Sequence, residues 1–415
     1  MDSLLLPLVL DSVLSGSVLI AHEGRIVFAK GYGAADRERG IPNTPGTIFR
    51  IGSITKPFTA ISIMQLREAG RLELDAPLSR YLPDFPNGGS ITIRHLLNHT
   101  SGIPDYNWTR ANNRPQELGT VVDWIRQLRP TSAPGERFEY SNSGYALLAR
   151  IIERVSGKDY IEFVRENTLA RRGMENTGLY SMDDPPARMA SGHTRVDYGG
   201  FSRADRPSPL ARGDGDLYST VFDLLRFGRA LIEGDLISRE SWGQVLTSGM
   251  GPYGLGWFIG DSHGERVVYH QGGTLGFIGN LQVFPEHGTI VVNLFNTDFL
   301  LSSLVERELA AIALGKPWRR ILQDGEVPND APIARFVGEY GLDSSSTFTL
   351  TLEGGHLYFQ ESGKARCMAH PFSDNEVYVK ELNARIAFEE PGSGEVRYSA
   401  LFGLFLVTGR RVRGG

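Results

Sequence analysis

Cysteine is almost absent from this 415-residue chain: Cys367 stands alone, which excludes an intramolecular disulfide and a cysteine metal cluster and leaves the redox compartment open. Its surroundings suggest a plain strand residue. Excess charge is missing too, since 43 Lys and Arg face 48 Asp and Glu for a net charge of −5, and nothing suggests a basic footprint for nucleic acid. Long apolar runs are also lacking. The nearest is Leu4-Leu5-Leu6-Pro7-Leu8-Val9-Leu10, which is short, broken by Pro7 and without the basic flank of an export signal, and no membrane span is expected. We expect a short helix packed on a sheet there and a cytoplasmic protein, with an exported and trimmed mature form as the alternative. The length leaves room for two domains with substantial cores.

Against this plain background Ser53-Ile54-Thr55-Lys56 stands out, because no other serine in the chain has a lysine at that spacing. The segment that follows has no breaker until Gly70 except Pro57, which falls in the first turn, where a missing N–H costs little. Residues three apart share a helix face, so Lys56 can reach back over the Ser53 hydroxyl, and a lysine in its amine form takes a serine proton. Free N–H groups at a helix N-terminus suit a developing oxyanion. A capping serine followed by a solvated lysine is the alternative. The apolar positions Phe58, Ile61, Ile63, Met64 and Leu66 fall on several faces, which predicts a buried helix whose first turn lines a cleft.

Tyr140-Ser141-Asn142 is the single Tyr-x-Asn in the chain and precedes a helical run from Gly144. A phenol beside a lysine can shuttle a proton, and an amide can hold both the lysine and a substrate carbonyl. A buried tyrosine and a capping asparagine are the alternative. His270-Gln271-Gly272-Gly273 follows, expected between strand-like runs at 266–269 and 277–284. Glycines there let a substrate approach a strand edge and let a backbone N–H complete an oxyanion hole.

Together these three motifs, in this order, resemble the serine β-lactamase and penicillin-binding-protein superfamily, in its class C-like branch. Supporting context comes from Phe49-Arg50-Ile51-Gly52, Leu96-Leu97-Asn98-His99-Thr100-Ser101-Gly102-Ile103-Pro104, Leu217-Tyr218-Ser219-Thr220 and Tyr253-Gly254-Leu255-Gly256-Trp257. The resemblance spans roughly 1–316 and implies a serine hydrolase working through an acyl-enzyme. In its terms Ser53 is the nucleophile, Lys56 and Tyr140 share the base work, and Asn142, His270, Gly272 and Gly273 face the substrate, with no cofactor and no metal. His270 would orient Tyr140 or a substrate carboxylate. Lys-Thr-Gly is absent, which argues against efficient β-lactam hydrolysis. A histidine at that place resembles D,D-peptidases and D-aminopeptidases, pointing to a peptidase or amidase on small peptides, D-configured ones included. The open alternatives are a carboxylesterase, a weak β-lactamase and a non-catalytic scaffold. Partners are thus a small ester or peptide substrate, with homo-oligomerisation left open.

The implied fold is α+β: one antiparallel sheet flanked by helices and built from strands near both ends (17–21, 25–32, 255–259, 266–269, 277–284 and 289–295), with an all-helical insertion and a covering helix at 300–313. After residue 316 the texture changes. A turn-rich stretch at 325–332 leads to short alternating strands at 347–352, 356–360, 376–380, 385–389 and 395–401, separated by turn signals that include Gly392-Ser393-Gly394. We expect a first domain at 1–316 and a small antiparallel β domain at 317–415, resembling the lipocalin-like appendage of some peptidases of the superfamily.

Three patterns are set aside as structure. His22-Glu23-Gly24 reads as a hairpin turn, and Ser373-Asp374-Asn375 comes too late in the chain for a second catalytic motif and reads as another turn. His95 and His99 have zinc-like spacing but lack the glutamate of His-Glu-x-x-His.

Overall fold

The computed structural model describes residues 1–10, 14–106, 117–196, 200–204, 212–298, 302–321, 331–342, 346–382, 384–390, 395–402 and 405–414. Most of the 325–332 stretch and the Gly392-Ser393-Gly394 turn lie outside them. Six antiparallel strands form the main sheet: β1 (Gly16–His22), β2 (Arg25–Tyr32), β3 (Phe258–Ser262), β4 (Glu265–Thr274), β5 (Phe277–Phe284) and β6 (Thr289–Phe295). Their spatial order is β3-β4-β5-β6-β1-β2, so the two ends of the unit meet where β1 pairs with β6. Both of these central strands are buried along nearly all their length. Helices cover both faces, which is why Val18-Leu19-Ile20 and Ile290-Val291-Val292 read as continuous apolar runs and do not alternate. The β1–β2 hairpin turns on Glu23 and Gly24 at φ +46° and +76°, as expected of His22-Glu23-Gly24.

β4 differs from its expectation. It runs on through His270-Gln271-Gly272-Gly273 to Thr274, placing the third motif on a strand and not between two. Glycine lowers strand propensity and hid this, but the register Gln271 to Asn280, Gly272 to Gly279 and Gly273 to Ile278 carries the ladder through.

Between β2 and β3 lies a mainly helical insertion that includes Thr55–Glu68, Ile93–Leu97, Leu118–Ile125, Asn142–Ser156 and Val221–Glu233. A small sheet of Phe49–Arg50, Leu217–Ser219 and Gly178–Leu179 leads directly into the Ser53 segment. Helix Thr55–Glu68 is the hub: eleven of its fourteen residues are buried, on all sides, and Phe58 stacks on Phe227 of Val221–Glu233 with ring centroids 3.8 Å apart. Such a pair adds about 1 kcal/mol beyond its buried area, and it fixes the first turn of the helix against the front of the sheet.

Helices Asp2–Leu10 and Ser302–Ala313 cover the back, where Leu4, Leu5, Val305 and Leu309 pack on Val18, Ile20, Val291 and Phe295. Beyond them an eight-stranded antiparallel barrel closes by pairing its first strand, Gly338–Gly341, with its last, Phe405–Gly414. Two of its strands, these first and last ones, escaped the sequence reading, and Cys367–Ser373, expected as a strand only at Cys367, was given no bounds. Terminal glycines, Pro371 and the run Arg410-Arg411-Val412-Arg413 mask their alternation. Phe348, Phe359, Val377, Ile386, Phe388 and Tyr398 fill the interior, while Tyr378 turns outward into the back-face cluster and docks the barrel there. Among the described residues no helix is long and apolar enough to cross a membrane.

Candidate active site

Ser53 sits in a single 3-10 turn, Gly52–Ile54, that feeds helix Thr55–Glu68. Gly52 adopts φ +50°, and a Cβ there would stand 2.6 Å from the Gly273 carbonyl oxygen. Only glycine lets the turn pass so close to β4, and this closeness brings the Ser53 backbone beside Gly273.

Lys56, one turn on, has no solvent exposure. Its Nζ lies 2.9 Å from Ser53 Oγ, 2.6 Å from Asn142 Oδ1 and 2.7 Å from the Asp214 carbonyl oxygen. Two of these partners are acceptors only, which occupies two N–H groups of the amine and leaves its third position aimed at the serine hydroxyl. A proton can cross between Ser53 and Lys56 along that line with no rotation of either side chain. The solvated-lysine alternative does not describe this geometry.

Asn142 opens helix Asn142–Ser156 and is buried. Its backbone N–H donates to Asp105, and its Nδ2 donates to the other Asp105 oxygen at 3.1 Å, which fixes the amide so that Oδ1 faces Lys56. Tyr140 projects from the preceding loop, its ring centroid 5.0 Å from Lys56 Nζ, and its hydroxyl has no hydrogen-bond partner among the described residues. His99 lies beneath that ring at 4.2 Å and accepts the Ser141 N–H at Nδ1. Burial, reinforced by Lys56, holds the His99 imidazole neutral. His95 instead closes a capping box with Thr92, so the two histidines have separate structural tasks. Ser373-Asp374-Asn375 is a hairpin turn, with Ser373 Oγ 3.0 Å from Asn375 Oδ1.

The geometry divides the third motif. His270 is 1% exposed; its Nδ1 donates to the Gln271 carbonyl at 2.6 Å, so Nε2 accepts from the Tyr253 hydroxyl at 2.8 Å. Burial first, and Lys56 second, push its pKa down to about 3. The expected link from His270 to Tyr140 or to a substrate carboxylate is therefore replaced by one to Tyr253, because both ring nitrogens are committed inside the protein. Gly272 is buried and Gly273 exposed. A Cβ on Gly272 would lie 1.9 Å from the Ile51 carbonyl oxygen, whereas one on Gly273 would meet nothing within 4 Å. Gly272→Ala is expected to cost about 3 kcal/mol or more and to dislodge the Ser53 turn, while Gly273→Ala leaves the thermal midpoint within a few degrees of wild type; parallel melting curves check the contrast.

Several residues that build the site escaped the sequence reading. Asp105 follows directly on the Thr100–Pro104 stretch, but its pairing with Asn142 has no local signature. Asp214 acts through its backbone carbonyl, which no side-chain pattern reveals. Arg50, noted only as context before Ser53, is buried and stacked 4.4 Å over the Tyr180 ring, and it donates to Thr274 Oγ1 at 3.1 Å and so pins the far end of β4.

Comparison with protein families matches residues 9–315 to the Beta-lactamase family. The chain belongs to that family. Among curated relatives, penicillin-binding protein 4* of Bacillus subtilis is 30% identical over 90% of each chain. Among solved structures, the octameric penicillin-binding protein homologue of Pyrococcus abyssi superposes with a TM-score of 0.73 at 27% identity over 97% of each chain. The D-amino acid amidase of Ochrobactrum anthropi, solved with L-phenylalanine amide, reaches 0.68 at 25% identity over 74% of this chain and 95% of its own. The P. abyssi match extends past the family segment, so its coverage includes the barrel. As a β-lactamase-family protein the chain is a serine hydrolase of the β-lactamase and penicillin-binding-protein type. Its third motif reads His270-Gln271-Gly272, with no lysine.

Proposed function

We propose that this β-lactamase-family chain is a peptidase or amidase that is acylated on Ser53 by small amide substrates, D-configured ones included. The observation that carries the proposal is the fully buried Lys56 amine suspended between Ser53 Oγ, Asn142 Oδ1 and the Asp214 carbonyl. Ser53 attacks the carbonyl while Lys56 and Tyr140 share its proton, and the N–H groups of Ser53 and Gly273 hold the oxyanion. Tyr140 then protonates the leaving amine, and the same pair activates the water that releases the acyl group. Asn142 orients Lys56 and the substrate amide.

His270 narrows the substrate. Neutral, buried and bonded to Tyr253, it offers no positive charge to a substrate carboxylate, which favours leaving groups without one. A D-aminoacyl amide is accordingly expected to turn over with a kcat/KM at least about tenfold above that of a peptide ending in D-Ala-D-Ala carboxylate. Steady-state assays on matched D- and L-amides, the dipeptide acid and a p-nitrophenyl ester decide it. Preference for the acid would sink this reading, and preference for the ester with no amide turnover would establish the carboxylesterase, which the same neutral His270 also favours. Cytoplasmic location and assembly into more than one chain are further proposals, the latter supported by the octameric relative and testable by light scattering.

A further inference from the structure

Gln271, the middle residue of the third motif, has no role in the chemistry above; it is an exposed residue of β4 whose side-chain amide nevertheless reaches a buried carboxylate behind the sheet. In the register of the sheet Gln271 stands opposite Asn280 and Asn280 opposite Asn293, an amide row across β4, β5 and β6. Helix Ser302–Ala313 sets Glu306 into this row. Glu306 Oε2 accepts from Gln271 Nε2 at 2.6 Å and from Asn280 Nδ2 at 2.9 Å, and the Glu306 carbonyl accepts from Gln282 Nε2 at 3.1 Å.

Such a cluster makes little sense as stabilisation. Glu306 is only 3% exposed, and burial pushes its carboxyl up to about 7 although the amides of Gln271, Asn280 and Asn293 oppose this. Asn280 Oδ1 is buried without a hydrogen-bond partner among the described residues, a cost that an apolar residue of similar size would not incur. What the cluster does hold is the strand just before Gly272 and Gly273. There β4 has no side chain of its own and faces Gly279, so its position rests on the anchors beside it. Three are present: His270 on Tyr253 in front, Thr274 on Arg50 beyond, and Gln271 on Glu306 behind.

We propose that Glu306 is a positioning residue for the oxyanion site, fixing the Gly273 N–H through Gln271 from the far side of the sheet. This rests on the reading of Gly273 as an oxyanion donor. A misplacement of about 1 Å at such a donor costs about 100-fold in rate, so the coupling has a measurable size.

Full-length Gln271→Ala, Glu306→Ala and Glu306→Gln would be compared with wild type by amide hydrogen exchange over 272–274 and by kcat and KM on p-nitrophenyl acetate. Gln271→Ala and Glu306→Ala are expected to lose about 10- to 100-fold in kcat with KM within about threefold, and to exchange about tenfold faster at these amides. Glu306→Gln, which keeps an oxygen for both donors, is expected to return both readouts to within about threefold of wild type. Unchanged exchange and kcat in Gln271→Ala would overturn the proposal, as would a Glu306→Gln enzyme as impaired as Glu306→Ala. If Glu306→Ala fails to fold, the other two variants decide. A wild type with no Ser53-dependent turnover would refute the acyl-enzyme reading alone, since the exchange measurement still decides the positioning.

Discussion

Ser53→Ala is expected to abolish hydrolysis of every accepted ester or amide, lowering kcat by about 10⁴-fold or more, while the protein stays folded. The size follows from the work the proposed mechanism concentrates on one oxygen: it would form the covalent bond, and it is the hydroxyl that Lys56 Nζ meets at 2.9 Å. The fold should hardly notice the change. Among the described residues Ser53 makes one side-chain hydrogen bond, to a lysine that keeps two further acceptors, so the loss is about 1 kcal/mol. An intact-mass time course with a penicillin reads the nucleophile directly. A wild-type adduct missing from Ser53→Ala, with melting points within a few degrees, is the expected result. An adduct of the same mass on the variant would remove Ser53 from its role. β-Lactam loss without a lasting adduct would instead mean fast deacylation, against the expectation from the missing lysine of the third motif.

Much of this architecture was legible because periodicity and punctuation survive in a single chain. Helix Thr55–Glu68 could be read from Pro57 in its first turn and from Gly70, which takes φ +68° just past its end. The central strands announced themselves as apolar runs. What stayed hidden was non-local. No property of the residues near 105 says that a carboxylate will clasp Asn142, 37 positions away, and a backbone carbonyl such as that of Asp214 has no sequence signature. β4 was read too short because it carries Gly272 and Gly273 where strand propensity asks for branched residues. The histidine of the third motif was visible as a residue, but its commitment to Tyr253 depends on burial, which spacing does not reveal. The same limit applies to Glu306, a residue in an ordinary amphipathic helix until the sheet behind it is known.

Lys56 offers the second large effect, and two replacements separate its chemistry from its packing. Lys56→Met is expected to lower kcat by about 10³-fold while the melting temperature moves by no more than a few degrees. Methionine has the same unbranched reach and fills a fully buried slot. Two terms then oppose each other: Asn142 Oδ1 and the Asp214 carbonyl lose a donor, at about 1–3 kcal/mol each, whereas the protein no longer has to bury a lysine head group. Lys56→Arg has a wider, planar head, and the three acceptors lie 2.6 to 2.9 Å from a single nitrogen. A guanidinium cannot present one atom to all three, so overpacking of about 1–3 kcal/mol is expected together with the same loss of rate. Kinetics and thermal melts on both variants would show the split: Met inactive and stable, Arg inactive and destabilised. A Lys56→Met enzyme that kept its rate within about tenfold of wild type would transfer the base role to Tyr140, the one other ionisable side chain of the proposed chemistry beside Ser53.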